Sequence, residues 1–272
     1  MAKTWFITGI SSGLGKALAE EAVNNGYYVI GTLRKPDQVD AFNERYLGRA
    51  KAVLADITDF KGMEEVISNI PRIDVLVNNA GIGFVGAIEE TSLEETRKVF
   101  EANFFAALRL TQLVLPKMRN ESSGHIVQIS SHSGIKAFAG FGIYSASKFA
   151  LEGFTEALAQ EVEPLGIRVT LIEPGPFRTQ FASKGLPEAK KVIYEYAETA
   201  GAFRNKLKGV HGKQEGDPQK AARVIVQCVV EGNTSLRIPL GKIPMATIQM
   251  KLDSVKSDLE GNRNVAEQAV FD

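Results

Sequence analysis

Short apolar runs rich in β-branched residues alternate along the chain with longer stretches in which apolar side chains recur every three or four positions. A run of the first kind has no polar side to show when a sheet is covered on both faces, so it reads as nearly continuous hydrophobics. Such runs predict strands over Lys3–Thr8, Tyr27–Leu33, Lys51–Ala55, Asp74–Asn78, His125–Ser130, Arg168–Glu173 and Ser235–Ile238. The helical period predicts helices over Leu14–Asn24, Gln38–Tyr46, Phe60–Ser68, Leu93–Arg119, Ser145–Pro164 and Pro218–Glu231. Asp217 followed by Pro218 announces the last of them, an N-cap residue before proline at the first helical position. Strand alternating with helix predicts an α/β fold, a doubly wound parallel sheet of about seven strands joined by right-handed helical crossovers.

Two stretches break this rhythm. Residues 176–216 are punctuated by glycine and mixed charge, with a helix expected over Glu188–Glu198, and an insertion this long reads as a substrate lid. The extension over 240–272 carries an amphipathic stretch, Ile248–Leu259, expected to pack on the same domain. A chain of 272 residues suits one catalytic domain over 1–272. Phe84, Ile135, Phe138, Phe141, Phe177, Phe181 and Leu186 fall in segments that converge outside the carboxyl ends of the strands, which predicts an apolar pocket there.

Composition narrows the partners. Lys plus Arg balances Asp plus Glu at 32 each, which removes a bulk electrostatic reason for binding nucleic acid or an anionic membrane. The expected partner is a small molecule. Cys228, within the apolar run Val224–Val230, reads as a buried small hydrophobe and permits no internal disulfide. With no signal-like leader and no apolar run of spanning length, a soluble cytoplasmic protein is expected. His125, His132 and His211 are too dispersed for a metal site, so none is expected.

The chemistry begins at Thr8-Gly9-Ile10-Ser11-Ser12-Gly13-Leu14-Gly15, where an apolar strand turns into a helix. Glycines there let backbone amides and the helix N-terminus face a pyrophosphate without interference from Cβ atoms, the physics of a Rossmann-type dinucleotide seat. After the second strand, Leu33 stands where an acidic residue would grip the ribose hydroxyls of NAD, and Arg34 follows, suited to a 2′-phosphate. NADP(H) is therefore the expected cofactor, with NAD(H) the alternative. Tyr144 and Lys148 lie one helical turn apart and share a face. An adjacent ammonium and a cationic oxidised nicotinamide are both expected to lower the phenol pKa toward neutrality, so that Tyr144 exchanges a proton while Ser131 holds the substrate oxygen against it.

Those residues, taken together and in order, resemble a classical short-chain dehydrogenase/reductase over nearly the whole chain. Thr8 to Gly15 resembles the family's cofactor turn, Asp56 its adenine-binding aspartate, and Asn78-Asn79-Ala80-Gly81 its fourth-strand signature. Asn103 matches the asparagine that anchors a proton-relay water, Ser131 the family serine, and Pro174-Gly175 with Thr179 the loop over the nicotinamide amide. The resemblance implies Tyr144 as general acid/base, Lys148 on the nicotinamide ribose, Ser131 orienting the carbonyl and Asn103 completing the relay. It implies cofactor contacts from Gly9, Ser11, Ser12, Gly13, Leu14, Gly15, Arg34, Asp56, Ile57, Asn79, Ala80, Gly81, Tyr144, Lys148, Pro174, Gly175, Phe177 and Thr179.

Gly31-Thr32-Leu33-Arg34 is similar to NADP-preferring members such as carbonyl reductases and the 17β-hydroxysteroid and retinol dehydrogenase-like group. The activity so implied is hydride transfer between NADP(H) and an apolar ketone or aldehyde and its alcohol. Two rivals remain open: a cofactor-binding sensor without turnover, and a same-fold epimerase or dehydratase that recycles its cofactor. In this family the helices corresponding to Leu93–Arg119 and Ser145–Pro164 commonly form a four-helix interface, so a homodimer or homotetramer is expected, with Phe100, Phe104, Leu108, Phe149, Phe154 and Leu158 on those helices.

Overall fold

The computed structural model describes residues 2–182, 186–210, 212–232 and 235–271. In chain order its elements are β1 (Thr4–Ile7), α1 (Gly13–Asn24), β2 (Tyr28–Leu33), α2 (Pro36–Arg45), β3 (Ala50–Leu54), α3 (Phe60–Ser68), β4 (Val75–Asn78), α4 (Leu93–Phe100), α5 (Ala106–Asn120), β5 (Gly124–Ile129), α6 (Gly142–Val162), β6 (Ile167–Pro174), α7 (Ala202–Val210), α8 (Pro218–Glu231), β7 (Arg237–Leu240) and α9 (Lys242–Gly261). The strands form one parallel sheet in the order β3-β2-β1-β4-β5-β6-β7. Each expected strand is present, shifted by a residue or two at its ends. The order reverses between β1 and β4, so the loops leaving those two strands diverge and open a crevice at their carboxyl ends.

Alternation along the central strands sorts the core into two layers. Trp5, Ile7, Val75, Val77, Val127 and Ile129 face one side, where α1 and α8 contribute Leu18, Ala22, Ile225 and Val229. Phe6, Leu76 and Ile126 face the other, against Met63 and Ile67 of α3, Leu110 and Val114 of α5, and Leu158 and Val162 of α6. Burying each of the larger side chains stabilises the fold by roughly 1.5–3 kcal/mol before chain entropy is counted. Cys228, expected to be buried, is only half-buried on α8. Among the described residues no helix is long and apolar enough to cross a membrane.

Three expected elements differ. The helix expected over Leu93–Arg119 is interrupted at Glu101–Phe105 by a π-helical turn that separates α4 from α5. Residues 188–193 are not helical: Glu188 bridges to Val85, the Ala189 amide donates to the Val85 carbonyl, and the Ile193 amide donates to Glu90. Partners outside the segment outweigh its local helical preference, and regular helix begins only at α7, after short turns over 194–201. The third difference is at the tail, where the helix starts at Lys242 and buries only Pro244 and Thr247. The extension packs on the body through its first turns and not, as expected, along Ile248–Leu259.

Candidate active site

The glycine turn sits at the end of β1, beside the switch point. Gly9 and Gly13 take φ of +71° and +57°, the left-handed region that glycine enters at little cost. A Cβ on Gly15 would lie 2.3 Å from both Asn79 Nδ2 and the Gly9 carbonyl, so only hydrogen fits. The Thr8 hydroxyl accepts from the Asn79 and Ala80 amides at 2.9 Å, and Asn79 Nδ2 donates to the Thr8 carbonyl at 2.8 Å. The Asn79 side chain thus braces the turn. Ser12 caps α1 with no side-chain hydrogen bond, and no acid occupies the first turn. The positive end of the helix is left for an exogenous anion, and the exposed Ser11 and Ser12, half-buried Gly13 and Leu14 and buried Gly15 fit a dinucleotide pyrophosphate.

Beside this turn a cavity of about 210 Å³ is lined by Ile10, Ser11, Lys16, Leu33, Arg45 and Tyr46, among others. Arg34 is exposed at the end of β2. Its charge contributes to holding Asp56 below the usual carboxylate range, an effect due first to the Thr58 amide, which donates to Asp56 Oδ1 at 2.9 Å. Ile57 packs into the second core layer. From the far side, Pro174 ends β6, the Gly175 amide donates to the Leu240 carbonyl at 3.1 Å, and Thr179 closes on Gly13, where an added Cβ would stand 3.1 Å from Thr179 Cβ. Phe177, like Leu14 of the glycine turn, is partly buried against the first core layer.

The four catalytic candidates converge at the carboxyl ends of β4 and β5. Asn103, at the π-helical turn, accepts from the Ile82 amide at 2.7 Å, donates to the Ile82 carbonyl at 2.9 Å and donates to Ser147 Oγ at 3.0 Å. Ser147 in turn donates to the Tyr144 carbonyl at 2.7 Å, so Asn103 ties the loop after β4 to the helix that carries Tyr144 and Lys148. A Cβ on Gly81 would approach Asn103 Oδ1 at 2.9 Å and Lys148 Nζ at 3.7 Å, so Gly81 lies over this cluster. Ser131 caps a short turn by accepting from the Ser133 amide, and its hydroxyl lies beside the Tyr144 phenol.

Tyr144 and Lys148 are each 5 % exposed. Burial pushes the phenol pKa above its ordinary value, and the neighbouring Ser131 hydroxyl offsets only part of this. In the protein without cofactor the neighbouring ammonium therefore does not bring the lowering expected of it. Lys148 Nζ stands 6.0 Å from the centre of the phenol ring and donates to the Ile129 carbonyl at 2.8 Å, so desolvation dominates. Lys148 is itself pulled down to about 8 by burial, against the field of the Glu152 carboxylate.

An acidic network behind Lys148 escaped the sequence reading. Glu152, one turn further along α6, and Glu173, on β6, are both buried and share Arg237 of β7, whose Nε is 3.3 and 3.4 Å from them; Arg237 Nη2 reaches Glu156 at 2.9 Å. Burial pushes Glu173 up to about 7, reinforced by the nearby Glu152. Two signals were present: a glutamate at Lys148 plus four, and an acid ending the apolar run of β6.

Apolar residues wall the site. Phe141 stacks on Tyr144 with ring centres 4.3 Å apart, and Phe181 lies 5.5 Å from the same ring. Phe138 and Leu186 join them, with Phe203 and Leu207 of α7 as additions that sequence reasoning missed. Phe84 packs in a neighbouring cluster with Val99 and Ala189, and Ile135 is half-buried beside the turn after β5. Phe181 and Leu186 of the 176–216 segment lie down over the loop after β4: a Cβ on Gly83 would meet Leu186 at 2.5 Å and Phe181 at 2.8 Å. An ion pair ties it there. Arg204 Nη2 bonds Glu90 at 2.9 Å, both residues are buried, and Glu90 also accepts the Ala87 and Ile193 amides.

Among the described residues neither His125 nor His132 belongs to a cluster of metal-ligating side chains. His125 is buried, lies 2.8 Å from Thr170 Oγ1 and is pushed down to about 3, and His132 is pushed down to about 4, in both cases mainly by burial. His211 lies outside the described residues, among which no group of three metal-ligating side chains occurs.

Residues 3–189 match the family described as short chain dehydrogenase. A 3-ketodihydrosphingosine reductase of Bacteroides thetaiotaomicron is 35 % identical, covering 94 % of this chain and 93 % of its own. The human retinol dehydrogenase 8 is 36 % identical over 88 % of this chain and 80 % of its own. The crystal structure of a short-chain dehydrogenase from Streptomyces avermitilis, 42 % identical, superposes with a TM-score of 0.92 over 100 % of this chain and 99 % of that one. Solved structures of the same fold include complexes with NAD and with NADP.

Proposed function

Because this chain belongs to the short-chain dehydrogenase family, we propose that it is an NADP(H)-dependent oxidoreductase that interconverts an apolar ketone or aldehyde with its alcohol, working as one catalytic domain under the 176–216 lid. The single observation that carries this reading is the buried junction of Tyr144, Ser131, Lys148 and Asn103 beneath an aromatic wall. A bound nicotinamide supplies or accepts the hydride.

The protein's own groups do the rest. Ser131, next to the phenol, holds a substrate oxygen beside Tyr144. Burial keeps Tyr144 protonated, so its hydroxyl is set to donate a proton to an oxygen gaining negative charge, which favours reduction of a carbonyl. Lys148 adds a positive charge beneath the site and a hydrogen-bond donor for a ribose. Asn103 holds the Ile82 backbone in register with α6 and so keeps the junction assembled. Phe141, Phe181 and Phe203 exclude water and offer apolar area to a hydrophobic substrate. Arg34, exposed and without an acid at the end of β2, supports a 2′-phosphate and hence NADP over NAD. Long-chain ketones and retinoids are the substrate classes suggested by what the relatives are named for.

The test is turnover of aliphatic and aromatic ketones, aldehydes, quinones, steroids and retinoids with each reduced cofactor. NADPH consumption by the wild type is expected, with at least about a hundredfold loss in Tyr144→Phe and little change in NADPH affinity. Tight NADPH binding without turnover would mean a sensor, and conversion without net cofactor consumption would mean an epimerase or dehydratase.

A further inference from the structure

Helix α9 leaves the body after its first turns. Every residue from Leu252 to Phe271 is exposed, so the second half of the helix draws no stability from packing. Isolated helices of this length are marginal in water, and a helix of this kind is completed by a partner. Its apolar residues are also ordered. Met245, Ile248, Leu252, Val255 and Leu259 follow alternating spacings of three and four, the a and d positions of a heptad. Met245, Leu252, Val255 and Leu259 are 60, 56, 47 and 68 % exposed. The seam is narrow, with Ile243 and Met250 the large exposed apolar residues of α9 that lie off it.

The flanking charges choose the occupant. Beside the seam, the g positions are Lys251 and Asp258 and the e positions Gln249 and Lys256. Two such helices laid antiparallel, with the two-fold axis between Asp253 and Ser254, place Leu252 against Val255 of the second copy and Ile248 against Leu259. The same register puts Lys251 against Asp258 of the second copy twice, as two-fold symmetry requires. A parallel pair would oppose Lys251 to Lys256. A lipid surface fits less well, because the polar face mixes Lys251 and Lys256 with Asp253, Asp258 and Glu260, where interfacial helices are rich in cations. We propose that α9 is a homotypic docking element through which two copies of this chain pair antiparallel along the Met245–Leu259 seam.

Sedimentation equilibrium of the full-length protein tests this. The double variant Leu252→Asp/Val255→Asp alters exposed positions only. It is expected to keep the wild-type circular dichroism while the mass of the largest assembly falls by half, whatever other contact the subunit makes. Lys251→Glu and Asp258→Lys should each weaken the same step by about tenfold or more. Combining those two should restore it, since the residues stand two turns apart on one helix and meet only across the pair. An unchanged mass in Leu252→Asp/Val255→Asp would overturn the proposal, as would failure of the double charge reversal to restore assembly. Binding to phosphatidylserine vesicles that the aspartate variant abolishes without any change in mass would instead assign the seam to membrane.

Discussion

Glu173→Gln is expected to stabilise this protein at neutral and alkaline pH while leaving it unchanged in mild acid. Glu173 is fully buried, and neither carboxylate oxygen has a hydrogen-bond partner; its one favourable charge contact is Arg237 at 3.4 Å, shared with Glu152 and Glu156. Its pKa rises from 4.5 to about 7 on folding, because burial and the neighbouring Glu152 oppose ionisation more than Arg237 favours it. The folded state therefore binds this proton more tightly than the unfolded chain does. That contribution to stability is fully present below 4.5 and is lost as pH rises through about 7. The interval between the two values corresponds to about 3 kcal/mol. Glutamine presents a similar shape, never ionises, and leaves Arg237 with two carboxylates. Urea unfolding of the cofactor-free protein at pH 4 and pH 8 reads the effect: close to no difference from wild type at the lower pH and a gain of up to about 3 kcal/mol at the higher. Equal destabilisation at both values would show that Glu173 is a needed anion, and the reasoning would fail.

Gly15→Ala should cost stability and abolish NADPH binding together, since a Cβ 2.3 Å from Asn79 and Gly9 forces the cofactor turn apart; a fluorescence titration retaining wild-type affinity would contradict this. Glu152→Gln should move the limb of the kcat profile governed by Lys148 to lower pH, because the lost carboxylate is the group that raises the ammonium pKa against burial. An unmoved limb would sever Glu152 from Lys148. Arg204→Met should destabilise the protein by about 3 kcal/mol in denaturant and raise KM for an apolar carbonyl, because Glu90 keeps only the Ala87 and Ile193 amides and loses its buried counter-charge where the lid is anchored; adding Glu90→Gln should recover much of both losses.

Helices α3 and α8 fall within the expected bounds, and the reason is local. Asp59 accepts the Gly62 amide and Asp217 accepts the Gln219 and Lys220 amides, so each helix start is written in the residue that caps it. The buried strands are equally legible, since few other elements keep so many β-branched residues in so short a run. Where a segment's partners come from elsewhere, the local pattern misleads. Residues 188–193 have the composition of a helix but pair with Val85 and Glu90, distant in sequence.

For this protein the sequence by itself determined the alternation of strand and helix and the glycine turn, because each depends on local spacing or on a residue type that little else can replace, and its resemblance to a family singled out Asn103, Ser131, Tyr144 and Lys148 as the candidate set. Only the tertiary structure decided the protonation of Tyr144, the proton held at Glu173, the Glu90–Arg204 tie beneath the lid and the exposure of the α9 seam. These follow from desolvation and from long-range pairing, and both are properties of the surroundings that a side chain acquires only once the sheet has closed around it.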